Sequence, residues 1–134
     1  MEPLFIKGSL HTPFVDFNSG TGIFEIRGRS IPEETLTFYN PLIKWVEKYT
    51  ENPQPKTVVN LKIEYLNSGS HTSLLVILKK IQEILTGIKN GEVLVKWYYE
   101  KDDEYMLETG KEYRDMLKIL FEFISVEEFE EEKY

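Results

Sequence analysis

The chain has 134 residues, enough for one domain around a single core, and it contains no cysteine, which excludes disulfides, thiolate metal sites and cysteine nucleophiles. Its net charge of −7 repels a polyanion, so nucleic acid is excluded as a partner. No apolar run reaches the length of a bilayer span, and Met1-Glu2-Pro3-Leu4 lacks the basic and apolar regions of a signal peptide, which predicts a cytoplasmic protein without membrane insertion.

Leu4-Phe5-Ile6 reads as a short strand. Phe14-Val15-Asp16-Phe17 and Ile23-Phe24-Glu25-Ile26-Arg27 alternate in character around the turn-rich Asn18-Ser19-Gly20-Thr21-Gly22, which predicts a β-hairpin. Ser30-Ile31-Pro32-Glu33 has capping-box spacing, but a proline disfavours helical geometry at Ile31, so the two signals conflict. With Thr37 as N-cap, Pro41 would fall in the first turn of a helix, where its missing N–H costs nothing, and Phe38, Leu42, Trp45, Val46 and Tyr49 would share one face. After Asn52-Pro53-Gln54-Pro55, the residues Val59, Leu61, Ile63 and Tyr65 alternate with Asn60, Lys62 and Glu64, a strand with one polar face.

Leu74, Ile77, Leu78, Ile81, Ile84 and Leu85 recur at three and four residues and predict a second helix, ended near Gly87. Val93, Val95, Trp97 and Tyr99 form the inward face of another strand, with Lys96 and Tyr98 pointing the other way. A third helix follows from about Asp103, with Gly110 as a candidate interruption, and Phe121-Glu122-Phe123-Ile124 closes the sheet. The fold class is α/β: a two-layer mixed β-sheet with an N-terminal β-hairpin and helices mainly on one face. Residues 1–126 form one domain, and Glu127-Glu128-Phe129-Glu130-Glu131-Glu132-Lys133-Tyr134 forms an acidic, solvated tail.

Enzyme signatures are missing. His11 and His71 are the only histidines, and no HExxH, GxSxG, GxxxxGK[ST] or GxGxxG pattern occurs. No catalytic residue, metal site or cofactor is expected. Glu100-Lys101-Asp102-Asp103-Glu104 lacks the ligand spacing of a calcium loop and reads as acids that complement a helix dipole. Arg27 and Arg29 are either surface cations of an edge strand or holders of a phosphate. The hydroxyl-rich Asn67-Ser68-Gly69-Ser70-His71-Thr72-Ser73, where a strand passes into a helix, is either a cap or a place for a phosphoryl group at the positive end of the helix.

A resemblance bears on that choice. The run Tyr65-Leu66-Asn67-Ser68-Gly69-Ser70, with GRSIPEETLTFYNPLIKWVEKY upstream and VLVKWYYEKDDEYMLETGKEY downstream, resembles the SiaC family of bacterial regulatory phosphoproteins, over nearly the whole chain from Pro3 to about Ile124. The predicted two-layer arrangement is similar to the STAS domains of anti-sigma factor antagonists. The resemblance implies a non-enzymatic partner switch with its phosphoacceptor at Ser68. Related sequences commonly carry threonine and further hydroxyls there; Ser68-Gly69-Ser70 departs from that pattern and leaves Ser70 as a competitor, with Gly69 giving a flexible loop.

It also implies a GHKL-type serine/threonine kinase, a PP2C-type phosphatase, and a diguanylate cyclase effector activated by the unmodified form, in cyclic di-GMP signalling and biofilm formation. Asn67, Gly69, Ser70, His71 and Thr72 would form the partner-binding surface around Ser68. One alternative is a non-switching protein-binding module whose hydroxyl cluster only caps the helix. Another is a small enzyme using Asp102 and Asp103 with Mg²⁺, for which the catalytic constellation is missing.

Overall fold

The computed structural model describes residues 1–130. Among them, the strands β1 (Leu4–Ile6), β2 (Phe14–Asn18), β3 (Ile23–Ser30), β4 (Lys56–Leu66), β5 (Glu92–Glu100) and β6 (Leu120–Val126) form one sheet in sequential order. β1, β2 and β3 pair antiparallel, and β3 to β6 pair parallel. Parallel neighbours need a crossover, and α1 (Thr35–Thr50), α2 (Ser68–Gln82) and α3 (Glu104–Met116) supply the three required. The expected mixed sheet with a leading hairpin is what forms.

One core joins these elements. Phe24, Ile26, Val59, Leu61, Ile63, Val95 and Trp97 from the strands are buried against Leu42, Val46 and Tyr49 of α1 and Leu74, Ile77, Leu78 and Ile81 of α2. The alternate residues Arg27, Asn60, Lys62, Lys96 and Tyr98 stay half-exposed, so the helices cover a single face and the other is polar.

Four local expectations are corrected. α1 starts earlier than Thr37, because the Phe38 N–H already bonds to the carbonyl of Glu34, the N-cap residue, at 3.2 Å. Pro41 therefore lies inside the helix, where it withholds the hydrogen bond that the Thr37 carbonyl would otherwise accept. On the buried face of α1 Tyr39 is the fully covered residue, with Phe38 half-buried and the two rings edge to face.

Tyr65 faces water, at 62% exposure, because the β3–β4 register jumps: Gly28 pairs with Ile63 and Arg29 with Tyr65. The extra residue Glu64 is a β-bulge, which puts Leu66 into the core instead. Gly110 does not interrupt α3. A Cβ there would stand 2.7 Å from Cδ1 and Nε1 of Trp97, whose indole N–H donates to the Met106 carbonyl at 3.0 Å. That glycine lets the largest core side chain of β5 lie against the helix.

Candidate functional site

The strand-to-helix junction after β4 is organised by Asn67. As N-cap of α2 it accepts the Ser70 N–H on Oδ1 at 2.9 Å, and its Nδ2 donates to the Pro32 carbonyl at 3.2 Å. Its backbone N–H reaches the Ser30 carbonyl at 3.0 Å, so the end of β3 and the start of α2 are fastened together. Ser68 is then the first helical residue, exposed, in a turn whose leading N–H groups have no partner within the helix.

Gly69 is not a flexible loop residue. It lies in the first turn of α2 against α1, where a Cβ would run into Thr35 Oγ1. The first turns of two helices therefore touch beside Ser68.

Ser70 is fully buried, and its hydroxyl is committed. It donates to the Ser30 carbonyl at 3.0 Å, which leaves its oxygen to accept from Ser30 Oγ at 2.7 Å, and Ser30 Oγ in turn to accept from Tyr39 OH at 2.6 Å. Burial pushes the Tyr39 phenol pKa up, and the two serine hydroxyls act in the opposite direction. This sealed hydroxyl chain ties β3, α1 and α2 together. As a corrected expectation, Ser70 presents no surface, either to a kinase or to a partner, and Ser30 is a buried link of the chain and no capping residue.

His71 is half-buried and turned toward α3. Tyr113 OH donates to the His71 carbonyl at 2.9 Å, so the Nδ1···Tyr113 OH contact of 3.2 Å has Nδ1–H as donor, and Nε2 is buried without a partner. Burial lowers the imidazole pKa, against an opposing pull from Glu112. Thr72 is exposed one turn after Ser68, and its hydroxyl donates to the Ser68 carbonyl at 3.4 Å.

Of the residues expected around the acceptor, Ser68 and Thr72 are exposed, while Asn67, Gly69 and His71 are partly covered. Two apolar neighbours escaped the sequence reading. Tyr65 is out because of the bulge, and Leu36, next to Thr35, is 67% exposed. The exposure of Tyr65 carries no periodic signal, because it comes from a register jump.

The remaining candidates have structural partners. Asp103 caps α3 by accepting the Met106 N–H at 3.0 Å. Arg27 pairs with Glu25 at 2.6 Å and lies over the Phe14 ring, and Arg29 reaches Glu64 at 3.4 Å. His11 is exposed, and its carbonyl accepts the Ile31 N–H. Among the described residues no helix is long and apolar enough to cross a membrane, and no group of three His, Asp or Glu side chains is placed to hold a metal.

Comparison with known proteins matches this architecture along nearly its full length. A family model described as SiaC family regulatory phosphoprotein covers residues 6–126. An uncharacterised protein of Pseudomonas aeruginosa is 28% identical over 115 residues, spanning 86% of this chain and 90% of that protein. Among solved structures, SiaC of Pseudomonas aeruginosa superimposes with a TM-score of 0.84 at 25% identity, covering 94% of this chain and all of the other. A crystal structure of the diguanylate cyclase SiaD in complex with its activator SiaC, from the same organism, matches with a TM-score of 0.84 at 26% identity over 92% and 99% of the two chains. With the matched region running from β1 through β6, the chain belongs to the SiaC family of regulatory phosphoproteins.

Proposed function

We propose that this chain is a phosphorylation-controlled partner switch: its unmodified form binds and activates an effector, a diguanylate cyclase, and phosphorylation of Ser68 releases it. A GHKL-type kinase adds the phosphate and a PP2C-type phosphatase removes it. The observation that carries the reading is the contrast between the exposed Ser68 and the fully buried Ser70 within one helical turn. The SiaC that activates SiaD shares this fold, which supports a cyclase as the effector.

The energetics favour release over refolding. A phosphoserine brings about −1.5 to −2 charges at pH 7. At the first position of α2 that charge gains about 0.3–1 kcal/mol from the helix dipole, so the junction keeps its shape. Inside a packed interface the same group must be stripped of water and left unpaired, a cost of several kcal/mol. A loss of about 3 kcal/mol weakens binding more than 100-fold. Ser68 and Thr72, with the flanking Tyr65 and Leu36, offer the exposed contact surface; Asn67, Gly69 and His71 hold it in place.

The test uses a purified cyclase with wild type and Ser68→Ala. Both should bind and activate it, and kinase with ATP should release wild type, with the phosphate found on Ser68 by mass spectrometry, while Ser68→Ala stays bound. Release of Ser68→Ala on kinase treatment would refute the assignment. Equal binding by wild type and Ser68→Asp would instead identify a non-switching binding module.

A further inference from the structure

Among the described residues, which stop short of Glu131, Glu132, Lys133 and Tyr134 of the acidic tail, His71 Nε2 alone is a buried side-chain polar atom without a hydrogen-bond partner. The rest of that ring is fixed. Nδ1–H donates to Tyr113 OH at 3.2 Å, the Tyr113 hydroxyl donates on to the His71 carbonyl at 2.9 Å, and the two rings stack with centroids 6.2 Å apart. A buried nitrogen left unmet beside the exposed Ser68 calls for a physical account.

The groups around the ring decide its charge. Glu112 and Tyr113 of α3 are the titratable side chains that share with it a cleft of about 230 Å³ between α2 and α3, where Thr72 and Thr109 add hydroxyls. Burial pushes the Tyr113 phenol far up, so it stays un-ionised. Burial also lowers the imidazole pKa, against the pull of Glu112, and the positive end of α2 disfavours a cation in the same way. In the unmodified chain a proton on Nε2 therefore meets no acceptor.

A phosphate on Ser68 changes that balance. Ser68 precedes His71 by three positions in α2, a spacing that puts two side chains on one helix face with Cβ atoms about 5–6 Å apart. The phosphate brings about −1.5 to −2 charges and three acceptor oxygens to within one turn of the unmet nitrogen. We propose that His71 is the positioning residue for a phosphate on Ser68: modification draws a proton from solvent onto Nε2, and the resulting imidazolium holds the phosphate beside the α2–α3 cleft. This deepens the assignment of Ser68 and rests on it. The coupling is reciprocal, since the phosphate favours protonation of the ring and the ring favours ionisation of the phosphate. Nδ1–H keeps its bond to Tyr113 in both states, so α3 stays docked and the modification acts through charge.

The experiment uses the full-length chain with phosphoserine installed at 68 during synthesis, which makes it independent of any kinase. The His71 imidazole is titrated by NMR, its signal identified by its loss in His71→Gln. Its midpoint should rise by about 1 pH unit or more over that of the unmodified chain, as expected for an opposite charge at this range. The phosphorus-31 midpoint of the phosphate should in turn lie lower in this chain than in the phosphorylated His71→Gln chain. An imidazole midpoint unmoved by the phosphate would overturn the proposal, and the wild-type sequence suffices for that reading even if His71→Gln folds poorly. Equal phosphate midpoints in two folded chains would overturn it as well. A raised imidazole midpoint with undiminished binding of the effector would leave the coupling standing and refute Ser68 as the switch.

Discussion

Ser70→Ala removes the last hydroxyl of the chain that runs from Tyr39 through Ser30 to Ser70 and leaves the buried Ser30 hydroxyl without its acceptor, a change that typically costs about 1–3 kcal/mol. Ser68→Ala, at an exposed position that caps nothing, should stay within about 0.5 kcal/mol of wild type. Urea unfolding of the two variants checks this, and a reversed order would contradict the buried hydroxyl chain. His71 gives a second measurement. Its unfolded imidazole takes a proton near pH 6.5, whereas burial keeps the folded one neutral to lower pH. Below about pH 6.5 the unfolded state binds the extra proton, so stability should fall with acidification until the folded imidazole titrates as well. In His71→Gln, unfolding midpoints measured from pH 7.5 to 5 should lose that component of the slope. No sequence signal distinguishes Ser68 from Ser70, because both are small hydroxyls in one helical turn; only the neighbours Ser30 and Tyr39, 40 and 9 positions away from Ser70 and Ser30 respectively, decide which is sealed.

At the level of elements, the first turns of α1 and α2 approach closely at Gly69 and Thr35. Gly69→Ala would drive a methyl into Thr35 Oγ1 and force the helices apart, with an expected loss of about 1–3 kcal/mol. Thr35→Ala in the same chain should restore part of it, since the nearest clashing atom is then gone; a non-additive double-mutant cycle by thermal or urea unfolding is the check. These elements also show how far pattern reading extends. The hairpin, the polar outer face of β4 and the helix carrying Leu74, Ile77 and Leu78 were all legible, because hydrophobic period follows directly from which face is buried. What failed were the features set by tertiary contact. The bulge at Glu64 flips the alternation so that Tyr65 points out, and nothing in the local sequence marks it. Pro41 suggested a late start for α1, but the packing of Tyr39 and the bond from Phe38 to Glu34 outweigh that local preference. Gly110 looked like a break because its partner, Trp97, comes from another strand.

For the molecule as a whole, the switch should leave the fold standing, and the sign of one substitution tests that. Ser68→Asp puts a negative charge at the start of α2, which should raise stability by about 0.3–1 kcal/mol while weakening cyclase binding. Opposite signs, read by thermal unfolding and by titration with the effector, would separate a blocked interface from a damaged protein; a fall in both would mean that the charge acts by loosening the junction. The one-sided sheet gives this molecule two faces with different chemistry. The starts of α1 and α2 follow the ends of β3 and β4, and a groove lined by both cations and carboxylates includes Arg27, Arg29, Lys62, Glu64 and Glu100. Strand order has a further consequence. Each strand from β2 onward pairs with the one just before it in sequence, so no strand must be inserted between two that already stand. A chain leaving the ribosome can therefore extend the sheet one edge at a time, each new strand docking on a finished template, and the sheet grows in the direction of synthesis.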